Sequence, residues 1–124
     1  MEKLVAITAL AALAQESRLD IFRLLVQAGP EGIPAGQIGE RLGLPAATLS
    51  FHLNQLRQAK LVQYRRESRS LIYSATYATM NALMSYLSEN CCQGNTAACG
   101  IDICGPNTVS QGNCHETLTS AHRC

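Results

Sequence analysis

Tryptophan is absent, and the remaining aromatics are four Tyr and two Phe among 124 residues. A chain of this length builds one domain with a core, but one poor in aromatics, so apolar faces shared between two copies are expected to help. Cysteine is missing from residues 1–90, and all six lie between Cys91 and Cys124. The first ninety residues therefore fold without disulfides. No apolar run approaches the roughly 20 residues that span a bilayer, so no membrane partner is expected. A strong overall charge is lacking too, at +1 formally. The charge is instead local: Arg41, Arg57, Lys60, Arg65, Arg66 and Arg69 face only Glu67 between residues 41 and 73, for a net +5. That is the electrostatic footprint of a phosphate-binding surface.

The N-terminus carries the three parts of a secretory signal: Lys3, the apolar stretch Leu4 to Leu13, and Ala12-Leu13-Ala14. Glu2 cancels Lys3, however, and the segment runs straight into another helical pattern rather than into a cysteine framework. We read it as a first helix of a cytoplasmic protein.

In chain order, Glu2 to Ala14 is apolar at Leu4, Ile7, Leu10 and Ala11, a broad face that needs a partner on more than one side. Ser17 is a cap for a second helix, with Leu19, Phe22, Leu25 and Val26 as its inward stripe until Gly29-Pro30 stops it. A short helix from Pro34 to Leu42 carries Ile38 and ends at Gly43. Pro45 then suits the first turn of a helix with Leu49, Leu53 and Leu56 on one stripe. The tight Gly43-Leu44-Pro45 link makes the last two helices a helix-turn-helix. From Leu61 the pattern changes to β-favouring residues, Leu61, Val62, Tyr64 and Leu71 to Tyr73, around a polar tip from Arg65 to Ser70. That predicts a β-hairpin with a basic turn. Helical spacing returns at Met80, Leu83, Met84 and Leu87, giving a last helix over Tyr77 to Asn90.

The fold class expected is mostly α with a small β-hairpin (α+β), a winged helix-turn-helix dimerising through its first and last helices. Residues 1–90 form the DNA-binding and dimerisation domain. Residues 91–124 are rich in Gly and Asn and poor in apolar bulk, and are expected to be a mobile tail.

Opposite the leucine stripe, Ala47, Thr48, Phe51, Asn54 and Gln55 face outward, with Ser50 at the edge. Asn and Gln pair bidentately with adenine, Ser and Thr bond bases or phosphates, and Phe51 suits a thymine methyl. Arg65, Arg66 and Arg69 suit phosphates or an adjacent minor groove, where they position rather than specify. His52 lies nearer the buried side, where a packed structural role competes with a phosphate contact.

Two stretches carry a resemblance. Leu13-Ala14-Gln15-Glu16-Ser17-Arg18-Leu19 and Thr48-Leu49-Ser50-Phe51-His52-Leu53, the latter followed by Leu56 to Val62, stand in register within the order helix, helix, helix, recognition helix, basic hairpin, helix. Over residues 5–90 the chain resembles the ArsR/SmtB family of bacterial metal-sensing repressors. The resemblance implies a cytoplasmic homodimeric repressor, not an enzyme, that sits on an inverted-repeat operator in double-stranded DNA and leaves when an inducer binds.

The family senses metals at several places. The cysteine pair of some arsenic sensors is absent from Ala35 to Leu42, and the last helix offers only Glu89 and no His for a zinc or nickel site. Cys91-Cys92 remains, with Cys99 near enough to supply a third sulfur and Cys104 as its rival. Three thiolates suit As(III) or Sb(III), and a subgroup of ArsR-like arsenic repressors has a similar Cys-Cys pair and third Cys. The expected inducer is arsenite or antimonite at Cys91, Cys92 and Cys99, with no organic cofactor. The alternative is redox or Zn/Cd sensing by the same thiols. Cys114 and Cys124 match no site of the family; His115 and His122 near them suit zinc or copper, but a ragged tail with spare soft ligands is the commoner explanation. A thiol oxidoreductase would need Cys-x-x-Cys at a helix start in a βαβ setting, and the chain has neither. A metal-buffering module would leave the outward helix face without a purpose.

Overall fold

The computed structural model describes residues 1–91. The chain divides into two units, Met1–Met80 and Asn81–Cys124. The first holds α1 (Lys3–Leu13), α2 (Glu16–Ala28), β1 (Ile33–Pro34), α3 (Ala35–Leu42), α4 (Ala46–Gln58), β2 (Val62–Glu67), β3 (Ser70–Ala75) and the start of α5 (Tyr77–Leu87). The second takes up the rest of α5 and is described as far as Cys91. No helix among the described residues is long and apolar enough to cross a membrane.

The leucine stripe of α4 is buried as its spacing requires, and Leu53 and Leu56 join Ile21 and Leu25 of α2, Ile38 of α3 and Leu61 at the centre of the core. Each such side chain contributes about 1.5–3 kcal/mol by leaving water. Gly43 ends α3 with φ +67°, and the Leu44 N–H closes the turn on the Gly39 carbonyl at 3.0 Å. A Cβ at Gly39 would lie 3.2 Å from the Leu44 carbonyl oxygen. Both glycines therefore serve the tight link that sets the angle between α3 and α4.

Several local expectations are corrected. The helix expected over Glu2 to Ala14 spans Lys3–Leu13, and its inward face is Ala6, Ala9 and Ala12, while Leu4, Ile7 and Leu10 are exposed. Small side chains let α1 approach α2 and α4 closely, which turns the large ones outward. In α2, Ile21 takes the inward place expected of Leu19, which is 43% exposed. The cap is Gln15, whose side-chain oxygen accepts from the Arg18 N–H at 2.8 Å, rather than Ser17. Pro34 and Pro45 stand at the N-cap positions of α3 and α4, one place earlier than expected. Ile33-Pro34 forms a third strand, paired antiparallel with Ile72 and Tyr73 in the order β1-β3-β2. Two residues, one a proline, show no period, so this strand leaves no trace in the sequence. The hairpin strands run to Glu67 and Ser70, which places Arg65 and Arg66 on a strand and leaves Ser68-Arg69 as the loop. The last helix stops at Leu87 rather than Asn90.

Candidate nucleic-acid interface

Opposite its buried stripe, α4 exposes Ala47, Thr48, Ser50 and Phe51, while Asn54 and Gln55 are half-buried. Phe51 is 56% exposed, a large apolar ring held outward on an otherwise polar face. Among the described residues no side chain caps the helix start at Pro45. Its first-turn N–H groups are left for an outside acceptor, and the helix dipole adds a positive end there.

Further along α4, Arg57 Nη2 donates to Asn54 Oδ1 at 3.0 Å. The same guanidinium lies over the Tyr64 ring, 5.4 Å from its centroid, and Tyr64 packs against Tyr73 with ring centroids 5.5 Å apart. Recognition helix and hairpin wing are thus joined through one arginine. Burial raises the Tyr73 hydroxyl above its ordinary pKa, opposed by the Arg57 charge and reinforced by Tyr64. Sequence reasoning counted Arg57 as charge only. Its place three residues after Asn54, on the same side of a helix, was the available signal.

The three wing arginines differ. Arg65 donates through Nε to Glu67 at 2.7 Å and through Nη2 to the Glu31 carbonyl at 2.8 Å, so its guanidinium is held by the protein itself. Arg66 pairs across the ladder with Leu71, two places from the Tyr64–Tyr73 pair, and shares their face of the ribbon. Arg69 sits in the loop. Arg66 and Arg69 are exposed and make no side-chain hydrogen bond among the described residues.

His52 takes the structural role. It is 8% exposed, and Arg18 Nη1 lies 3.3 Å from its Nδ1. A guanidinium only donates, so Nδ1 accepts and the ring is neutral with its proton on Nε2. Burial first, and the Arg18 charge second, hold this imidazole below its ordinary pKa. Arg18 also donates through Nε to the Ala12 carbonyl at 2.7 Å. One side chain therefore links α1, α2 and α4.

Cys91 follows α5 half-buried, its N–H donating to the Ser88 carbonyl at 3.0 Å. Cys92, Cys99, Cys104, Cys114, His115, His122 and Cys124 lie outside the described residues. Among the described residues no three His, Cys, Asp or Glu side chains come together to hold a metal ion.

A helix-turn-helix domain model matches residues 13–65, from the end of α1 into β2. The transcriptional activator HlyU of Vibrio cholerae is 32% identical over 90 residues, which are 73% of this chain and 81% of that protein. Its solved structure superposes with a TM-score of 0.59 at 33% identity, over 75% of this chain and 100% of that one. An ArsR-like transcriptional regulator from Rhodococcus sp. RHA1 gives a TM-score of 0.61 at 27% identity, over 68% and 77%. The homodimeric winged helix-turn-helix DNA-binding domain of Mb0332 from Mycobacterium bovis gives 0.56 at 27% identity, over 69% and 80%. The chain belongs to the ArsR/SmtB family of winged-helix transcription regulators.

Proposed function

We propose that the protein is a metalloid-responsive repressor, a homodimer that holds operator DNA and is released when trivalent arsenic or antimony binds Cys91, Cys92 and Cys99, with Cys104 the rival third sulfur. The observation that carries this reading is the position of the adjacent thiols: α5 ends at Leu87, and Cys91-Cys92 stands four and five residues further along the sequence. Thiolates are soft donors, and a trivalent metalloid with a lone pair favours a pyramid of three sulfurs. In this reading residues 1–90 bind DNA and dimerise, and residues 91–124 take the inducer.

The dimer is supported by what α1 and α5 expose. Leu4, Val5, Ile7 and Leu10 of α1 and Met84 and Leu87 of α5 are all exposed in the single chain. Packing α1 and α5 of two copies sets two α4 helices about 34 Å apart, one turn of DNA. Inducer binding beside the end of α5 disturbs that packing. A 100-fold loss of affinity needs about 2.7 kcal/mol of coupling.

The test is fluorescence anisotropy of a duplex selected by the full chain, titrated with arsenite, antimonite, Zn²⁺, Cd²⁺ and peroxide. Arsenite or antimonite should weaken binding about 100-fold, and Cys91→Ser and Cys92→Ser should keep the basal affinity and lose the response. An unchanged arsenite response in Cys91→Ser would sink the site. Release by peroxide alone, reversed by a thiol reductant, would replace the reading with a redox sensor.

A further inference from the structure

We infer that Asn54 and Arg57 act as one donor-only pair that selects guanine, rather than the adenine a lone asparagine would take. The inference rests on α4 reading DNA, as proposed above. A guanidinium has N–H groups and no acceptor, so the amide beside it must turn its oxygen inward, and Arg57 Nη2 donates to Asn54 Oδ1 at 3.0 Å. What the pair then offers outward is the amide NH₂ and the remaining guanidinium N–H groups.

In the major groove adenine presents one acceptor, N7, and one donor, the N6 amino group. A bidentate asparagine needs its oxygen available to that amino group, but here the oxygen already serves a cation whose own N–H groups would crowd against N6. Guanine presents two acceptors, N7 and O6, at the same edge. Donors meet acceptors at both positions, and the positive charge strengthens the bonds.

Asn54 is well placed for this. It follows Ala47 and Phe51 on the outward stripe, at helical spacing, opposite Leu49, Leu53 and Leu56. The pair is also held from the far side: Arg57 lies 5.4 Å over the Tyr64 ring, and Tyr64 is braced by Tyr73. That contact limits the arginine's freedom to swing away and release the amide. Gln55 makes no side-chain hydrogen bond among the described residues and keeps both of its functions, so adenine recognition stays open to it.

The experiment selects duplexes from a randomised pool with the full wild-type chain, Asn54→Ala and Arg57→Ala, and compares base preference position by position. The position whose preference flattens in Asn54→Ala should be guanine for the wild type. In Arg57→Ala, which frees Oδ1, that position should move toward adenine. In the selected duplex, replacing that guanine by 7-deazaguanine, which lacks the N7 acceptor, should weaken wild-type binding roughly tenfold and leave binding by an Asn54→Ala, Arg57→Ala double variant unchanged. Both side chains lie on the helix surface, and circular dichroism should show the variants folded. Adenine at that position, a guanine preference that survives Arg57→Ala, or no position that responds to Asn54 overturns the assignment while leaving DNA binding intact. If the wild type enriches no duplex at all, the DNA-reading function falls and the assignment with it.

Discussion

His52 stands on the recognition helix yet turns inward, and its neutral ring is needed as the acceptor for Arg18. The consequence for pH follows from the direction of its shift. The unfolded chain takes up a proton near pH 6.5, whereas the folded ring, held lower by burial and by Arg18, does not until the pH is lower still. Between those values the unfolded state binds more protons, so stability present above about pH 6.5 is lost as the pH falls toward the folded value. Urea midpoints measured from about pH 7.5 down to about 5.5 should fall more steeply for the wild type than for His52→Gln. Equal slopes would remove the clamp as a contributor. At this scale the sequence was only partly legible. Spacing placed His52 near the buried side but named no partner, because Arg18 is 34 positions away and on a different helix. The bond from Arg65 to the Glu31 carbonyl is likewise long-range and invisible in a local pattern.

Among the elements, the turn between α2 and β1 is the most constrained. Gly32 has φ +80°, and a Cβ there would stand 2.5 Å from the Tyr73 carbonyl oxygen and 3.0 Å from Ile72 Cγ2. Gly32→Ala therefore combines a left-handed conformation with a backbone clash against β3, the strand that carries the wing. It should lower stability by about 2 kcal/mol or more. Gly36 in α3 makes the contrast: an added Cβ meets nothing within 4 Å, and Gly36→Ala should be neutral or stabilise by up to about 1 kcal/mol. Thermal denaturation of the two variants checks both signs, and a Gly32→Ala protein as stable as the wild type would contradict this account of the turn. Helices α2, α3 and α4 and the hairpin were readable from periodicity and from Gly43 and Pro45. The strand β1 was not, since pairing with β3 rather than any local preference makes Ile33-Pro34 extended. Nor was the inward face of α1, because hydrophobicity favoured its leucines and close helix packing favoured its alanines.

For the whole molecule, that outward turn of α1 is the feature with the largest consequence. A helix that buries Ala6, Ala9 and Ala12 within its own chain and leaves Leu4 74% and Ile7 51% exposed has its larger apolar surface still to cover. The expected pairing of two copies covers it and brings two recognition helices to one duplex. The measurement that tests this most directly is binding of a selected duplex by the wild type and by a Leu4→Glu, Ile7→Glu variant, with the number of chains per duplex determined in the same solution. The wild type should bind as two chains. The variant should keep its helical content, sediment as one chain, and bind at least about 100-fold more weakly, since losing the second half-site removes most of a shared affinity. One wild-type chain per duplex, or a variant that binds as tightly as the wild type, would contradict a dimeric reader built on α1.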